Sequence, residues 1–367
     1  MFPTFERHEQ QLPHEGRWAI LRCLLGLVLS LGMGAGTLAF AAQKSVGELV
    51  ASNDSHDTTT FSSVYFVKTP QQLQRDFETI QNMTISFSGS YQEVPACVLQ
   101  TLRNRLHSEK SVGEMRTLMK YRAVVGVPFE DLTCDRQQMA YAEAASFLIS
   151  QNRKLSRTQP CPKDFTEELY NFAFQGASCC NQYYGTGIQG CVRSFMGDSD
   201  ASNVKHLMHR RWCLNPAMQS VGFGEFGRYG TMWSDDARRE KFDYDQIAFP
   251  ARGITPVNMI DPSWAWHVTL NPAKYRLTSD TNGVKVCLTP AVFDPRTGVF
   301  STYPGEVELE MTNVSTEAFG VPLCVVFLPK NVKIEPGSAY CVEISGFSDA
   351  DGNEQIIRYY VLFAEPL

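Results

Sequence analysis

The chain has 367 residues, 43% of them apolar, which is enough to bury a sizeable core and favours two domains over one. Its formal net charge of -6 is spread along the chain without a long block of one sign, which excludes a nucleic-acid-binding or polyelectrolyte role. Arg17 and Arg22 precede the apolar run from Cys23 to Ala42, and Ala39-Phe40-Ala41 has the small-x-small form that a signal peptidase reads. The run is also long enough to span a bilayer. Residues 1–42 are therefore expected to be a cleaved signal peptide or an uncleaved signal anchor. Either puts the rest of the chain in a secreted or cell-surface setting, with membrane contact only through that N-terminal segment if it is uncleaved.

Residues 43–93 are rich in Ser, Thr, Asp and Gln and read as a polar spacer, with strand-like runs at 64–67 and 83–87. Helical periodicity starts with Val98, Leu99, Leu102 and Leu106, continues through Met115, Leu118 and Met119, and stops at Gly126 and Pro128. A second helix is expected over about 134–152, where Ala140, Ala142 and Ala145 give a small-residue face for close packing. With Cys23 set aside, the cysteines are Cys97, Cys134, Cys161, Cys179, Cys180, Cys191, Cys213, Cys287, Cys324 and Cys341. An even number in an exported chain points to disulfides, and the absence of doubled Cys-x-x-Cys spacing argues against zinc. Seven of them precede residue 250 and three follow it. Either one bridge crosses between domains or at least two thiols stay free.

The stretch from His206 to Gly224 says most. It runs through Met208-His209-Arg210-Arg211 and Leu214-Asn215-Pro216 to Val221-Gly222-Phe223-Gly224. Asn215-Pro216 ends a short helix, because a proline ring disfavours helix at the residue before it, and the glycine-spaced run then starts a tight, buried strand. A Leu118-x-x-Tyr121-Arg122-Ala123 run and the alanine-rich helix come earlier. The order of these blocks, over about residues 97–250, resembles the bacterial branch of the CAP superfamily (cysteine-rich secretory proteins, venom antigens and plant pathogenesis-related proteins). Met208 stands where that branch usually has glycine.

The resemblance implies a CAP-like α/β/α sandwich with a cleft in which two histidines and two glutamates could hold a divalent metal. Matched residue by residue, His209 keeps its place. Arg157, in Leu155-Ser156-Arg157, stands where the first histidine is expected. Gly176-Ala177-Ser178 replaces a Gly-Glu-Asn run, and the segment from Val192 to Met196 carries no carboxylate. Arginine stays protonated and offers no acceptor, so no metal site, cofactor or catalytic residue is assigned. The candidate cleft is a ligand-binding one. Arg157, Arg210 and Arg211 would donate to an acidic head group, His206 would lie one turn from His209, and Tyr183 and Tyr184 would form an apolar wall. The expected partner is an unidentified protein or a lipid- or sterol-like ligand, as for the carriers and protein-binding modules of that superfamily. Gly176-Ala177-Ser178-Cys179-Cys180 is also similar to the segment around a papain-type cysteine, but Asn181 stands where that family has an aromatic residue.

Tyr229 to Trp233 is expected as a core strand. Further strands follow near 264–270, 284–289, 305–312, 323–328, 339–346 and 355–364, with Asn282-Gly283 and Asp351-Gly352 turns. Short strands at this spacing favour an immunoglobulin-like sandwich. The whole reads as α+β: leader 1–42, polar spacer 43–93, CAP-like α/β/α sandwich 94–250 and all-β Ig-like sandwich 251–367. The expected function is that of a secreted or surface-exposed binding or interaction protein; the alternative is an extracellular hydrolase or protease using the same cleft.

Overall fold

The computed structural model describes residues 65–102, 109–240 and 242–367. The leader at 1–42 and the first part of the spacer, including Val64, lie outside the described residues. From residue 65 the segment read as a spacer is folded. The Thr69 hydroxyl accepts from the Gln72 N–H, and the Gln72 side chain accepts from the Thr69 N–H, capping helix α1 (Pro70–Asn82). Leu73, Phe77 and Ile80, four and three residues apart, bury one face of it. The strand expected at 83–87 is reduced to β1 (Phe87–Ser88).

β1 opens a five-stranded mixed sheet of order β1, β2 (Thr133–Asp135), β4 (Ser220–Phe226), β5 (Tyr229–Trp233), β3 (Cys180–Tyr184). The first three strands are parallel, and β5 runs antiparallel to both β4 and β3. Helices pack on both faces. α2 (Ala96–Leu102), α4 (Arg136–Asn152) and α5 (Glu167–Cys179) share a cluster built on Ala140, Ala142, Ala145, Ala173 and Ala177. α3 (Glu109–Val125), α6 (Cys191–Gly197) and α7 (Met208–Cys213) share the other, with Leu118, Phe195 and Cys213 against Val221 and Phe223. The Val-Gly-Phe-Gly run thus has two faces. Its apolar residues join the second cluster, while a Cβ on Gly222 would lie 2.2 Å from the Gln138 carbonyl carbon and one on Gly224 2.2 Å from the Glu143 nitrogen. Glycine at both positions lets the α4 backbone sit directly on the sheet.

The remaining strands form two facing sheets. One has the order β11 (Val299–Thr302), β10 (Lys285–Asp294), β14 (Ala339–Ser348), β15 (Glu354–Ala364), β7 (Gly253–Pro256), with β9 (Arg276–Leu277) also on β14. The other has the order β12 (Leu309–Ser315), β13 (Cys324–Pro329), β8 (Trp266–Leu270), β6 (Gln246–Phe249). Trp266 lies between them, its ring 5.7 Å from Tyr340 and 5.9 Å from Phe363 of the opposite sheet. Helices with mixed and antiparallel sheets in this arrangement make the fold α+β. The largest buried cluster runs from α1, α3, α6 and α7 into both of these sheets, and Tyr121 Oη on α3 donates to the Met259 carbonyl at 3.0 Å.

The expected disulfides are not formed. Cys97, Cys134, Cys161, Cys179, Cys180, Cys191, Cys213, Cys287, Cys324 and Cys341 are all free thiols. The even number misled because the cysteines are distributed among separate packing layers. Cys180 lies in the alanine cluster, Cys134, Cys191 and Cys213 in the main cluster, and Cys324 in a third. Cys287 and Cys341 come from neighbouring strands but are diagonal. Cys287 faces Glu343 and Cys341 faces Thr289, and diagonal neighbours about 7–8 Å apart exceed disulfide reach. Burial pushes the Cys134 thiol up to about 12 and the Cys341 thiol up to about 11, so both stay protonated and unreactive.

Candidate functional site

α6 ends at Asp198, in the left-handed region at φ 48°, and the chain loops back to α7 through Leu207, also at φ 48°. This return brings the Asp198 carboxylate under the start of α7. It accepts from the His209 N–H at 2.9 Å, the Arg210 N–H at 3.2 Å and His209 Nδ1 at 2.8 Å. The Asn203 side-chain amide donates to the same carboxylate. The Asp198 side chain is 1% exposed and that of His209 23%. The Asn203 amide nitrogen also lies 2.9 Å from His209 Nδ1, so carboxylate and amide together hold the ring through that nitrogen. Phe195 packs against the imidazole at 5.4 Å, and Asn181 on β3 donates to the His209 carbonyl at 3.1 Å.

Arg157 belongs to the same neighbourhood. Its Nη1 donates to the Ser178 carbonyl at 2.6 Å, in the last turn of α5 where a cation is favoured. Its Nη2 contacts Met208 Sδ at 3.7 Å, one residue from His209. The structure therefore brings together Arg157, Met208, His209 and Asp198.

It does not bring the other expected residues to that place. Arg210 is fully buried and donates to the carbonyls of Met196 at 2.6 Å, Gly197 at 3.1 Å and Ala265 at 2.6 Å. Burial pushes it down to about 10, and its guanidinium sits over the Phe249 ring. Arg211 donates to Ser315 Oγ at 2.9 Å and to the carbonyls of Val321 at 2.6 Å and Glu317. Both guanidinium groups are buried and turned to these protein acceptors; Arg211 Nε is left without a partner inside the core. His206 turns to the loop after β12, with Nδ1 3.4 Å from Glu317 Oε2 and its ring edge-on to Phe319, and so forms no pair with His209. Tyr183 and Tyr184 are successive strand residues on opposite faces. Tyr183 is partly buried against the main core, with its ring over Gly185. Tyr184 is 47% exposed, its ring tilted against Tyr229 at 4.9 Å and under Arg228 at 4.4 Å. The apolar wall expected beside His209 is absent for that reason.

Several important residues were not singled out from the sequence for the roles they have. Asp198 and Asn203 lie in a polar loop with no spacing signal linking them to His209. Arg122 is fully buried and donates to the carbonyls of Pro128 at 2.7 Å, Cys213 at 2.9 Å and Asn215 at 2.9 Å, which fixes the Asn215-Pro216 turn. Glu114, pushed up by burial, accepts from the N–H groups of Gly190 at 2.8 Å and Val192 at 3.0 Å and so holds the start of α6. The Tyr-Arg-Ala run marked Arg122; nothing marked Glu114. Among the described residues no group of three or more His, Cys, Asp or Glu is arranged to hold a metal ion. No protein-family model matches the chain, and no curated protein matches it.

Proposed function

We propose that the protein is an exported CAP-like α/β/α domain joined to an Ig-like β-sandwich, acting at or outside the cell surface as a binding protein. Export rests on the basic, apolar and small-residue pattern of the leader, since the unbonded cysteines give no argument for an oxidising compartment. The CAP-like reading draws support from helices on both faces of a mixed sheet and from the Val-Gly-Phe-Gly strand seated on the alanine-rich helix.

The observation that carries the function is the Asp198–His209 pair. A buried carboxylate fixes a partly open imidazole, and the Arg157 guanidinium contacts Met208, the residue before it. A fixed imidazole with a cation on the same short helix suits the polar end of an amphipathic ligand or a polar contact on a protein partner. Native mass spectrometry of the full chain purified from its own host, with extraction of bound small molecules, tests this. A bound species lost in an Arg157→Ala, His209→Ala double variant is expected; a species retained by the folded double variant refutes the site.

The same pair also favours a second reading, an extracellular hydrolase with His209 as general base. A carboxylate-oriented imidazole is the arrangement a base needs. Ser178 Oγ already donates to the Phe174 and Arg157 carbonyls, and burial pushes the Cys179 thiol up. The attacking group would then be water. Ester or amide hydrolysis abolished by His209→Gln in a protein with an unchanged melting temperature would support this reading over the first.

A further inference from the structure

The chain carries a formal net charge of -6, yet one end of the five-stranded layer is cationic. α4 runs beside β4, with Gly222 against Gln138 and Gly224 against Glu143, so the helix ends level with the β4–β5 hairpin, where Phe147 packs on Phe226 at 4.8 Å. β3 runs antiparallel to β5 and ends at the same place, with Tyr184 opposite Tyr229. The segments 144–163, 180–190 and 226–234 therefore lie together. None of them contains an aspartate or a glutamate, and their cations are Arg153, Lys154, Arg157, Lys163 and Arg228. The acids that flank them do not cancel this charge. Glu143 is buried, Glu225 is bridged by Lys110 at 2.7 Å, and Asp235 lies towards the far end of β5, beside Cys179. Glu168, in the first turn of α5, accepts from Cys97 Sγ on α2 at 3.1 Å, and Asp164 adjoins only Lys163. Arg153, Lys154 and Arg228 are exposed, and neither they nor Arg157 have an ion-pair partner among the described residues.

Two large apolar side chains stand among these cations. Leu155 is 44% exposed between Lys154 and Arg157, and exposed Tyr184 has the Arg228 guanidinium over its ring. The space between them is filled. Gln182, on the same strand face as Tyr184, accepts from the Ser156 N–H at 2.8 Å and donates to the Ser156 carbonyl at 2.9 Å. A peptide partner uses a groove or a free strand edge, and this surface offers single protruding side chains instead. Cations beside exposed apolar side chains match an anionic bilayer, where long basic side chains reach the phosphates while leucine and tyrosine enter the boundary between headgroups and acyl chains. We propose that this end of the five-stranded layer docks on an anionic lipid surface, with Arg153, Lys154 and Arg228 at the headgroups and Leu155 and Tyr184 inserted. The docking loop also carries Arg157, so an amphipathic ligand of the His209 site would be taken from the same surface; that last step rests on the reading above, whereas docking does not.

Co-sedimentation of the full chain with vesicles of phosphatidylcholine alone, and of phosphatidylcholine mixed with phosphatidylglycerol, tests the proposal. Native chain and variants share the N-terminal apolar run, so differences between them report this surface. The mixed vesicles are expected to bind about tenfold more tightly or better, with a preference that fades at high salt. Arg153→Gln with Lys154→Gln is expected to weaken binding to them about twenty-fivefold, about fivefold for each cation. Leu155→Ser is expected to weaken it at low and high salt alike, and Lys333→Gln, which removes an exposed cation of the facing sheets, to leave it unchanged. Native mass spectrometry of the double glutamine variant is expected to show any species of the His209 site retained, which separates docking from that site. Equal binding of the native chain to both vesicles overturns the proposal, as does a folded double variant that binds like the native chain. Equally tight capture of a polyglutamate peptide, insensitive to Leu155→Ser, would assign the surface to an acidic protein partner and overturn it too.

Discussion

Replacing Gly224 by alanine would put a methyl group into the α4 backbone. The added Cβ would lie 2.2 Å from the Glu143 nitrogen, 2.3 Å from the Ala142 carbonyl carbon and 2.5 Å from Glu143 Cα. Non-bonded carbon contacts settle at about 3.5–4.0 Å, so α4 would have to withdraw by roughly 1 Å or more. It has little freedom to do so. Ser146 Oγ donates to the Gly224 carbonyl at 3.0 Å, Thr231 Oγ1 to the Ala142 carbonyl at 2.6 Å, and the Glu225 N–H to Glu143 Oε2 at 2.7 Å. On the far side of the helix, Gly176 of α5 is itself so close that a Cβ there would meet the Tyr141 carbonyl oxygen at 2.2 Å. Overpacking a core costs about 1–3 kcal/mol where side chains can adjust; here the obstacle is backbone, so a loss of about 3 kcal/mol or more is expected. Gly113, exposed in the middle of α3 with nothing within 4 Å of its Cβ position, is the control. Gly113→Ala is expected to stabilise by about 0.5–1 kcal/mol through helix propensity. Urea unfolding of both variants at constant slope gives the two numbers. A Gly224→Ala protein within about 0.5 kcal/mol of the parent would refute the claim that backbone contact sets this layer spacing.

Arg122→Met is expected to cost about 3 kcal/mol or more in urea unfolding, since it strips three buried carbonyls of their donor. Arg122→Lys should recover little of that, because a single ammonium cannot serve the three diverging acceptors. His267 is fully buried; burial first, and then the Arg210 charge with its Nη1 3.5 Å from the ring, hold it well below its ordinary 6.5. The folded state therefore leaves it neutral while the unfolded chain protonates it. Stability is expected to fall as pH drops below about 6.5, by up to about 1.4 kcal/mol per pH unit from this residue. His267→Gln should flatten that part of the profile, and an identical slope in parent and variant would count against the argument. With iodoacetamide and no reductant, exposed Cys161 is expected to react in the native protein, whereas Cys134, Cys180, Cys191 and Cys213 react only after denaturation. Peptide mapping that shows Cys180 bonded to Cys134, Cys191 or Cys213 would contradict the distribution of thiols among layers.

The sequence was most legible where one residue's neighbours in space are its neighbours in the chain. The alanine-rich helix, the Tyr229–Trp233 strand and the last strands, through β15, were readable because periodicity and turn residues act locally. α1 was missed although Thr69-Pro70-x-Gln72 is a capping signal, because the polar composition around it outweighed one local motif. His209 was found from its surroundings, but its partner Asp198 lies eleven residues upstream and reaches it through two left-handed turns. The arginines misled for a general reason. Arginine is mostly exposed, and no pattern in the chain shows that a turn and two loops will aim their carbonyls inward at a guanidinium. The even cysteine number failed similarly, since parity carries no geometry.

His209, Arg210 and Arg211 are consecutive, and each faces a different part of the molecule: the open side, the Ala265 carbonyl at the start of β8, and the loop joining β12 to β13. The helix that presents the candidate site is therefore also riveted to the facing sheets. A fragment ending before β6 would take the Ala265 carbonyl from Arg210 and the Ser315, Glu317 and Val321 acceptors from Arg211, and the helix beneath His209 would lose its footing. Shortening the chain to a supposed working half should yield insoluble material, while pulling on the β12–β13 loop should be felt at the imidazole.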